Sequence, residues 1–310
     1  MLPLATAPMI TEKSEDERVK QMPTTMRLAT ADGLTLVADA FGDAHARPIV
    51  LLHGGGQTRH AWHNSAAQLG AAGWHAVSVD LRGHGDSDWS ADGDYRFERF
   101  AADVIALAVT FDEPPALVGA SLGGIASLLA IGESATPIAA ALVLVDVAPR
   151  LEMNGVARIR AFMRQGLNGF ADLEAAGLAI ATYNPHRPRP KDLNGLKKNL
   201  CQREDGRWYW HWDTRFMAPE DPDERGGIDG IPPARYVTQQ RLEAAARNLH
   251  VPTLLVRGKS SDLLSEEGAR EMLTLVPHAQ LVDVAGAGHM VAGDRNDRFN
   301  TAVVDFLATI

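Results

Sequence analysis

The chain has 310 residues, 45% of them hydrophobic and 22% charged, the ordinary balance of a globular protein with a sizeable core. Its net charge of −9 argues against a nucleic-acid partner, which demands a basic face. With a single cysteine, Cys201, no internal disulfide can form, and without an apolar run of about 18 residues no helix is expected to span a membrane.

Residues 1–22 mix Lys, Glu and Asp, without the basic start and apolar core of a secretory leader. They are expected to form a loose extension of a cytoplasmic protein. Two alternating segments, Met26–Ala31 and Leu34–Ala40, flank Asp32-Gly33, which signals a hairpin. Pro48–His53 is a nearly continuous apolar run, as a strand covered on both faces requires. A helix over Ser65–Ala72 and a strand over His75–Asp80 follow. Phe97, Phe100, Val104, Leu107, Ala108 and Phe111 then recur at helical spacing. Pro115–Val118 leads as a strand into Gly119, a helix pattern follows, and Ala141–Val147 is one more strand. Strands alternating with helix-length segments predict a mostly parallel twisted sheet flanked by helices.

The rhythm stops near Pro149. Residues 150–247 are mainly helical in composition but rich in Arg, Asn, Gly and Pro, and Tyr183–Lys191 reads as a Pro-broken solvated loop. The rhythm resumes with a strand at Val251–Gly258, a helix at Ser265–Val276, a strand at Ala279–Val284 and a helix at Asp294–Ile310, with Asp294 as its cap. The expected fold class is therefore α/β, with its core at 23–149 and 248–310. A helical lid at 150–247 is inserted after the sixth core strand.

Gly119-Ala120-Ser121-Leu122-Gly123 is a G-x-S-x-G motif between a strand and a helix, the setting of a nucleophile elbow. Flanking glycines leave room for a turn so tight that its centre is strained, which lifts the Ser121 hydroxyl into the open. An activated serine needs a base, and the base needs an orienting acid. His289, in the turn Gly286-Ala287-Gly288-His289 past the last strand, fits the base. Two carboxylates fit the acid: Asp262, directly after a strand end, and Asp146, at the end of the preceding core strand. Asp262 is favoured on chain order, and Asp146 is the second candidate. Asp283 belongs to its strand, and His278 at a helix end is assigned to the surface.

A tetrahedral intermediate needs backbone N–H donors for its oxyanion. Leu122 should supply one. The loop His53-Gly54-Gly55-Gly56 should supply the other, from Gly55 with Gly56 a close second. In Asp80–Ser87, charge-assisted bonds among Arg82, Asp80 and Asp86 are expected to tie the loop together, with His84 part of that scaffold. His60 and His63 have H-x-x-H spacing without a carboxylate or Cys beside them in sequence, so no metal site is expected.

Together His53–Gly56, Asp80–Ser87, Gly119–Gly124, Gly258–Asp262 and Gly286–His289 resemble the α/β-hydrolase superfamily. Within it, the chain is similar to the cap-bearing group of small esterases, C–C bond hydrolases, lactonases and cofactor-free haloperoxidases. Relatives with Asp at the elbow, such as epoxide hydrolases and haloalkane dehalogenases, differ at Ser121. The resemblance implies a serine hydrolase of carboxylic esters or lactones, acting through an acyl-enzyme on a small-molecule substrate without cofactor. C–C bond hydrolysis of a ring-cleavage diketone and a non-catalytic binding role are the alternatives. In the lid, Trp208-Tyr209-Trp210-His211-Trp212 places three Trp at period 2. Trp210 and Trp212, with Trp62, are the candidate substrate-binding residues. The same apolar lid offers a homodimer contact. Arg158 and Arg164 carry no stronger claim than surface arginines.

Overall fold

The computed structural model describes residues 22–185, 192–217, 237–289 and 296–310. The extension expected at 1–22 (Met22 apart), the cap Asp294 and residues 186–191 of the Pro-broken loop lie outside them. A hairpin of β1 (Thr24–Ala29) and β2 (Thr35–Phe41) opens the fold, turning at Asp32-Gly33 as the sequence predicts. The core strands follow as β3 (Pro48–Leu52), β4 (His75–Val79), β5 (Ala116–Ala120) and β6 (Ala141–Val145). A small hairpin, β7 (Leu200–Gln202) and β8 (Trp208–Trp210), stands apart. The core closes with β9 (Thr253–Gly258) and β10 (Gln280–Val284).

The eight core strands form one sheet in the order β1-β2-β4-β3-β5-β6-β9-β10, antiparallel at β1–β2 and β2–β4 and parallel elsewhere. β3 lies between β4 and β5, so the direction of winding reverses there. Such a switch point opens a crevice beyond the carboxyl ends of the strands. Those ends carry His53-Gly54-Gly55 and Ser121.

Helices α1 (His63–Ala71), α2 (Phe97–Ala108), α3 (Leu122–Gly132), α4 (Met153–Gln165), α5 (Leu173–Tyr183), α6 (Gln239–Arg247), α7 (Glu266–Leu275) and α8 (Asn296–Leu307) complete the order. Alternate strand residues feed opposite faces. Val50 and Leu52 pack under α2, α3, α6 and α7, while Ile49 and Leu51 pack under α1 and α8. β3, β4 and β6 are buried along their whole length, which explains the unbroken apolar runs of β3 and β6. No helix among the described residues is long and apolar enough to cross a membrane.

The described residues of 153–217 build a small core of their own from Met163, Phe170, Ala176, Leu200, Trp210 and Trp212. The sequence does not predict the hairpin β7–β8, whose three-residue strands are too short to show a period. The segment is tied to the loop after β4 by backbone bonds from Gly85 to His211 O (2.7 Å) and from Asp213 to Gly83 O (2.7 Å). Tyr95 adds a hydroxyl bond to Asp213 at 2.5 Å. The start of α4 rests against the β9–α7 loop at Gly155, where a Cβ would lie 2.2 Å from Asp262 O.

Candidate active site

Ser121 sits where β5 turns into α3, with φ 45° and ψ −110°. Only glycine adopts positive φ readily, so this backbone is strained. The turn closes because its neighbours lack side chains. A Cβ on Gly119 would lie 2.5 Å from Gly123 O, and one on Gly123 would lie 2.5 Å from Leu52 O. The serine is held by its own N–H on Val145 O (3.3 Å) and by its carbonyl, which accepts from Ile125 N–H (2.9 Å).

Among the described residues the only other non-glycine with positive φ is Asp146, at φ 51°, directly after β6. It is fully buried, and its carboxylate takes three donors. Oδ1 accepts the Gly258 N–H at 2.9 Å, and Oδ2 accepts the Ser261 hydroxyl at 2.5 Å and His289 Nδ1 at 2.8 Å. The expectation that Asp262 partners His289 is therefore corrected. Asp262 turns outward, half-exposed, onto Arg158, which also bonds Tyr183 O and stacks over its ring. β6 and β9 are adjacent in the sheet, so both carboxylates leave the same edge. The loop after β9 offers Asp146 a backbone N–H and a hydroxyl instead of a competing acid. Ser261 was missed in the sequence; its only signal there is a hydroxyl one residue before Asp262.

His289 and Ser121 line one cavity of about 1290 Å³ together with Gly55 and Leu122. Among the described residues no hydrogen bond joins Ser121 Oγ to His289. In unliganded enzymes such bonds are often long and tighten with substrate. Because Nδ1 is committed to Asp146, Nε2 is the ring nitrogen left for chemistry.

The glycine loop approaches the elbow closely: a Cβ on Gly54 would lie 3.4 Å from Ser121 Cβ. Gly56, at φ +79°, donates its N–H to His84 Nε2 at 3.1 Å, and Gly54 donates to Gln57 Oε1 at 3.0 Å. The backbone N–H groups of Gly55 and Leu122 have no partner among the described residues. Of the two glycines considered, Gly55 is thus the one with a donor to spare.

The loop after β4 is braced differently from expectation. Arg82 turns to Asp103 and Asp32, and it is Arg59 that binds Asp80 and Asp86. Burial acts against the Arg59 charge, yet Asp80, Asp86 and Asp39 hold its pKa above the usual value. Burial pushes His53 down to about 4, and burial with the neighbouring His53 pushes His84 down to about 3. Both imidazoles are therefore neutral.

Trp62, Trp210 and Trp212 all line the cavity and are all buried. Trp208 does not line it and packs in the small core, with Lys197 over its ring. The indole N–H groups of Trp62 and Trp210 are buried without a partner among the described residues. Ile159, Phe162 and Ile180 supply apolar wall from α4 and α5. Neither Arg158 nor Arg164 lines the cavity.

Residues 49–302 match the model of a family described as the alpha/beta hydrolase family. The chain is 29% identical to an esterase of Mycobacterium tuberculosis, covering 80% of this chain and 78% of that protein. It is 28% identical to a 3-hydroxybutyrate-oligomer hydrolase of Cupriavidus necator, covering 80% of this chain and 85% of that protein. Among solved structures, an E-2-(acetamidomethylene)succinate hydrolase matches with a TM-score of 0.78 at 24% identity, covering 92% of this chain and 99% of the other. This chain belongs to the alpha/beta hydrolase family and is an enzyme of that fold.

Proposed function

We propose that the protein is a serine hydrolase that cleaves carboxylic esters, lactones included, of small apolar or aryl substrates through an acyl-enzyme. One observation carries this reading. A serine on a strained elbow shares a cavity with a histidine already paired to a buried carboxylate, beside two backbone N–H groups without a partner among the described residues. Ser121 Oγ attacks the acyl carbonyl while His289 Nε2 takes its proton. Asp146 holds Nδ1–H and stabilises the imidazolium. The Gly55 and Leu122 N–H groups bind the oxyanion. His289 then returns the proton to the leaving alkoxide, and the same ring activates the water that releases the acid. Residues 150–247 act as the cap over this site, and Trp62, Trp210 and Trp212 form part of its apolar wall. The esterase and oligomer hydrolase among the relatives support ester cleavage.

The test is a panel of p-nitrophenyl esters of increasing chain length, with fluorophosphonate labelling of wild type and Ser121→Ala. Expected are hydrolysis of short-to-medium esters and labelling that vanishes in the variant. An enzyme inert to every ester yet active on a ring-cleavage diketone overturns the proposal.

A further inference from the structure

The glycine loop after β3 and the loop after β4 are joined by two imidazoles acting in opposite directions. His53, from the first loop, accepts the Leu81 N–H of the second at Nε2 (3.0 Å) and bonds Gly54 O through Nδ1 (2.8 Å). His84, from the second loop, accepts the Gly56 N–H of the first at Nε2 (3.1 Å) and bonds Arg82 O through Nδ1 (3.0 Å). A backbone N–H only donates and a backbone carbonyl only accepts, so each ring is fixed as the Nδ1–H tautomer. The rings lie 5.2 Å apart, and both are completely buried.

Gly54, Gly55 and Gly56 have no side chains by which packing could locate them. Their peptides can be placed only by hydrogen bonds, against a backbone entropy that is largest for glycine. His84 supplies such a bond beside the donor that the mechanism needs. Its own position is fixed from a third direction, by a backbone bridge to Trp212 and an edge contact with Phe216 at 5.1 Å.

We propose that His84 is a positioning residue for the oxyanion site: by engaging the Gly56 N–H it sets the glycine loop so that the Gly55 N–H is the donor offered to the substrate. This rests on the serine-hydrolase reading above. A loop displaced by about 1 Å loses on the order of 100-fold in rate, and a lost oxyanion donor costs a similar factor or more.

Three variants test it with one p-nitrophenyl ester and a boronic acid that mimics the tetrahedral intermediate. His84→Phe keeps a ring of similar shape but neither hydrogen bond. His84→Asn can keep the bond to Arg82 O but does not reach Gly56. His84→Gln can present an acceptor at the Nε2 position. Expected for Phe and Asn is a fall in kcat of about 100-fold with KM within about threefold, matched by an equal loss of boronate affinity. Expected for Gln is recovery to within about tenfold of wild type. If His84→Phe does not fold, the Asn and Gln pair decides. Equal activity in those two, retained kcat in either Phe or Asn, or unchanged boronate affinity overturns the inference. An inert wild type instead overturns the hydrolase reading, so the two failures are told apart.

Discussion

His289 Nδ1 lies 2.8 Å from Asp146 Oδ2, although 143 residues separate the two. The sheet explains the meeting. β6 and β9 are neighbours, β10 follows β9, and all three run parallel, so what leaves their carboxyl ends converges. Replacing Asp146 by Asn keeps the shape but not the charge or the tautomer control. Expected for Asp146→Asn is a fall in kcat of about three to four orders of magnitude. Asp262→Asn breaks only an exposed pair with Arg158, worth about 0–1 kcal/mol, and is expected to stay within about threefold of wild type. Steady-state kinetics on a single ester checks both, and the reverse ranking would return the role to Asp262.

Much of this site is visible in the sequence because local chemistry marks it. Ser121 needs small neighbours, and the sequence shows Gly119 and Gly123. His289 is announced by a glycine turn past a strand. The identity of the acid is different in kind. Asp146 directly follows β6 and Asp262 lies in the loop after β9, and nothing local says which one turns inward. That choice is made by Asp146 adopting φ 51° and by the donors Gly258 and Ser261 arriving from 112 and 115 residues away. The same holds for Arg82 and Arg59: their carboxylate partners are chosen by packing between loops, which residue spacing does not encode. The β7–β8 hairpin escapes for a simpler reason, since strands of three residues are too short to show a period.

Ser261 completes the shell of Asp146. Its hydroxyl donates to Oδ2 at 2.5 Å and accepts the Leu263 N–H at 3.1 Å. Ser261→Ala leaves that carboxylate oxygen with His289 alone and frees the loop by one anchor. A hydrogen bond to a charged group contributes about 1.5–3 kcal/mol. Expected are a kcat lower by roughly tenfold with KM little changed, and a lower denaturant midpoint. A variant with wild-type kcat would show that Gly258 and His289 suffice to hold the acid.

Arg82 and Asp103 form an ion pair with side chains only 1% exposed, and Arg82 reaches Asp32 as well. Burial pushes the Asp103 carboxyl up, against the pull of the Arg82 hydrogen bonds. Removing Asp103 leaves the buried guanidinium with only the partly exposed Asp32, which costs up to about 3–5 kcal/mol. Asp103→Ala is expected to lose stability in that range by urea unfolding. Half-buried Arg241, which pairs with exposed Glu133 and Glu98, gives the contrast: Glu133→Ala should lose about 1 kcal/mol or less. Similar losses at both positions would mean that the interior pair is hydrated.

The imidazoles of His53 and His84 also contribute to how the fold responds to acid. In the unfolded chain His53 and His84 take up protons near pH 6.5; in the fold burial holds them down to about 4 and about 3. Between these limits the unfolded state binds more protons, so stability rises with pH. Their contribution is complete above about pH 6.5 and is lost as the pH falls toward 4. Protonating either ring also turns its acceptor nitrogen into a donor facing a backbone N–H, so Gly56 and Leu81 lose their partners together with the charge penalty. The expected result is a urea midpoint that is flat from pH 8 to 7 and falls steeply from pH 6.5 to 4.5. His84→Gln, which does not titrate, should fall less steeply over the same range. Asp94, whose pKa is lowered by its hydrogen bonds to Arg96, weakens the fold only at lower pH. A wild-type midpoint that holds constant from pH 7 to 5 would mean that these rings reach water in the folded protein.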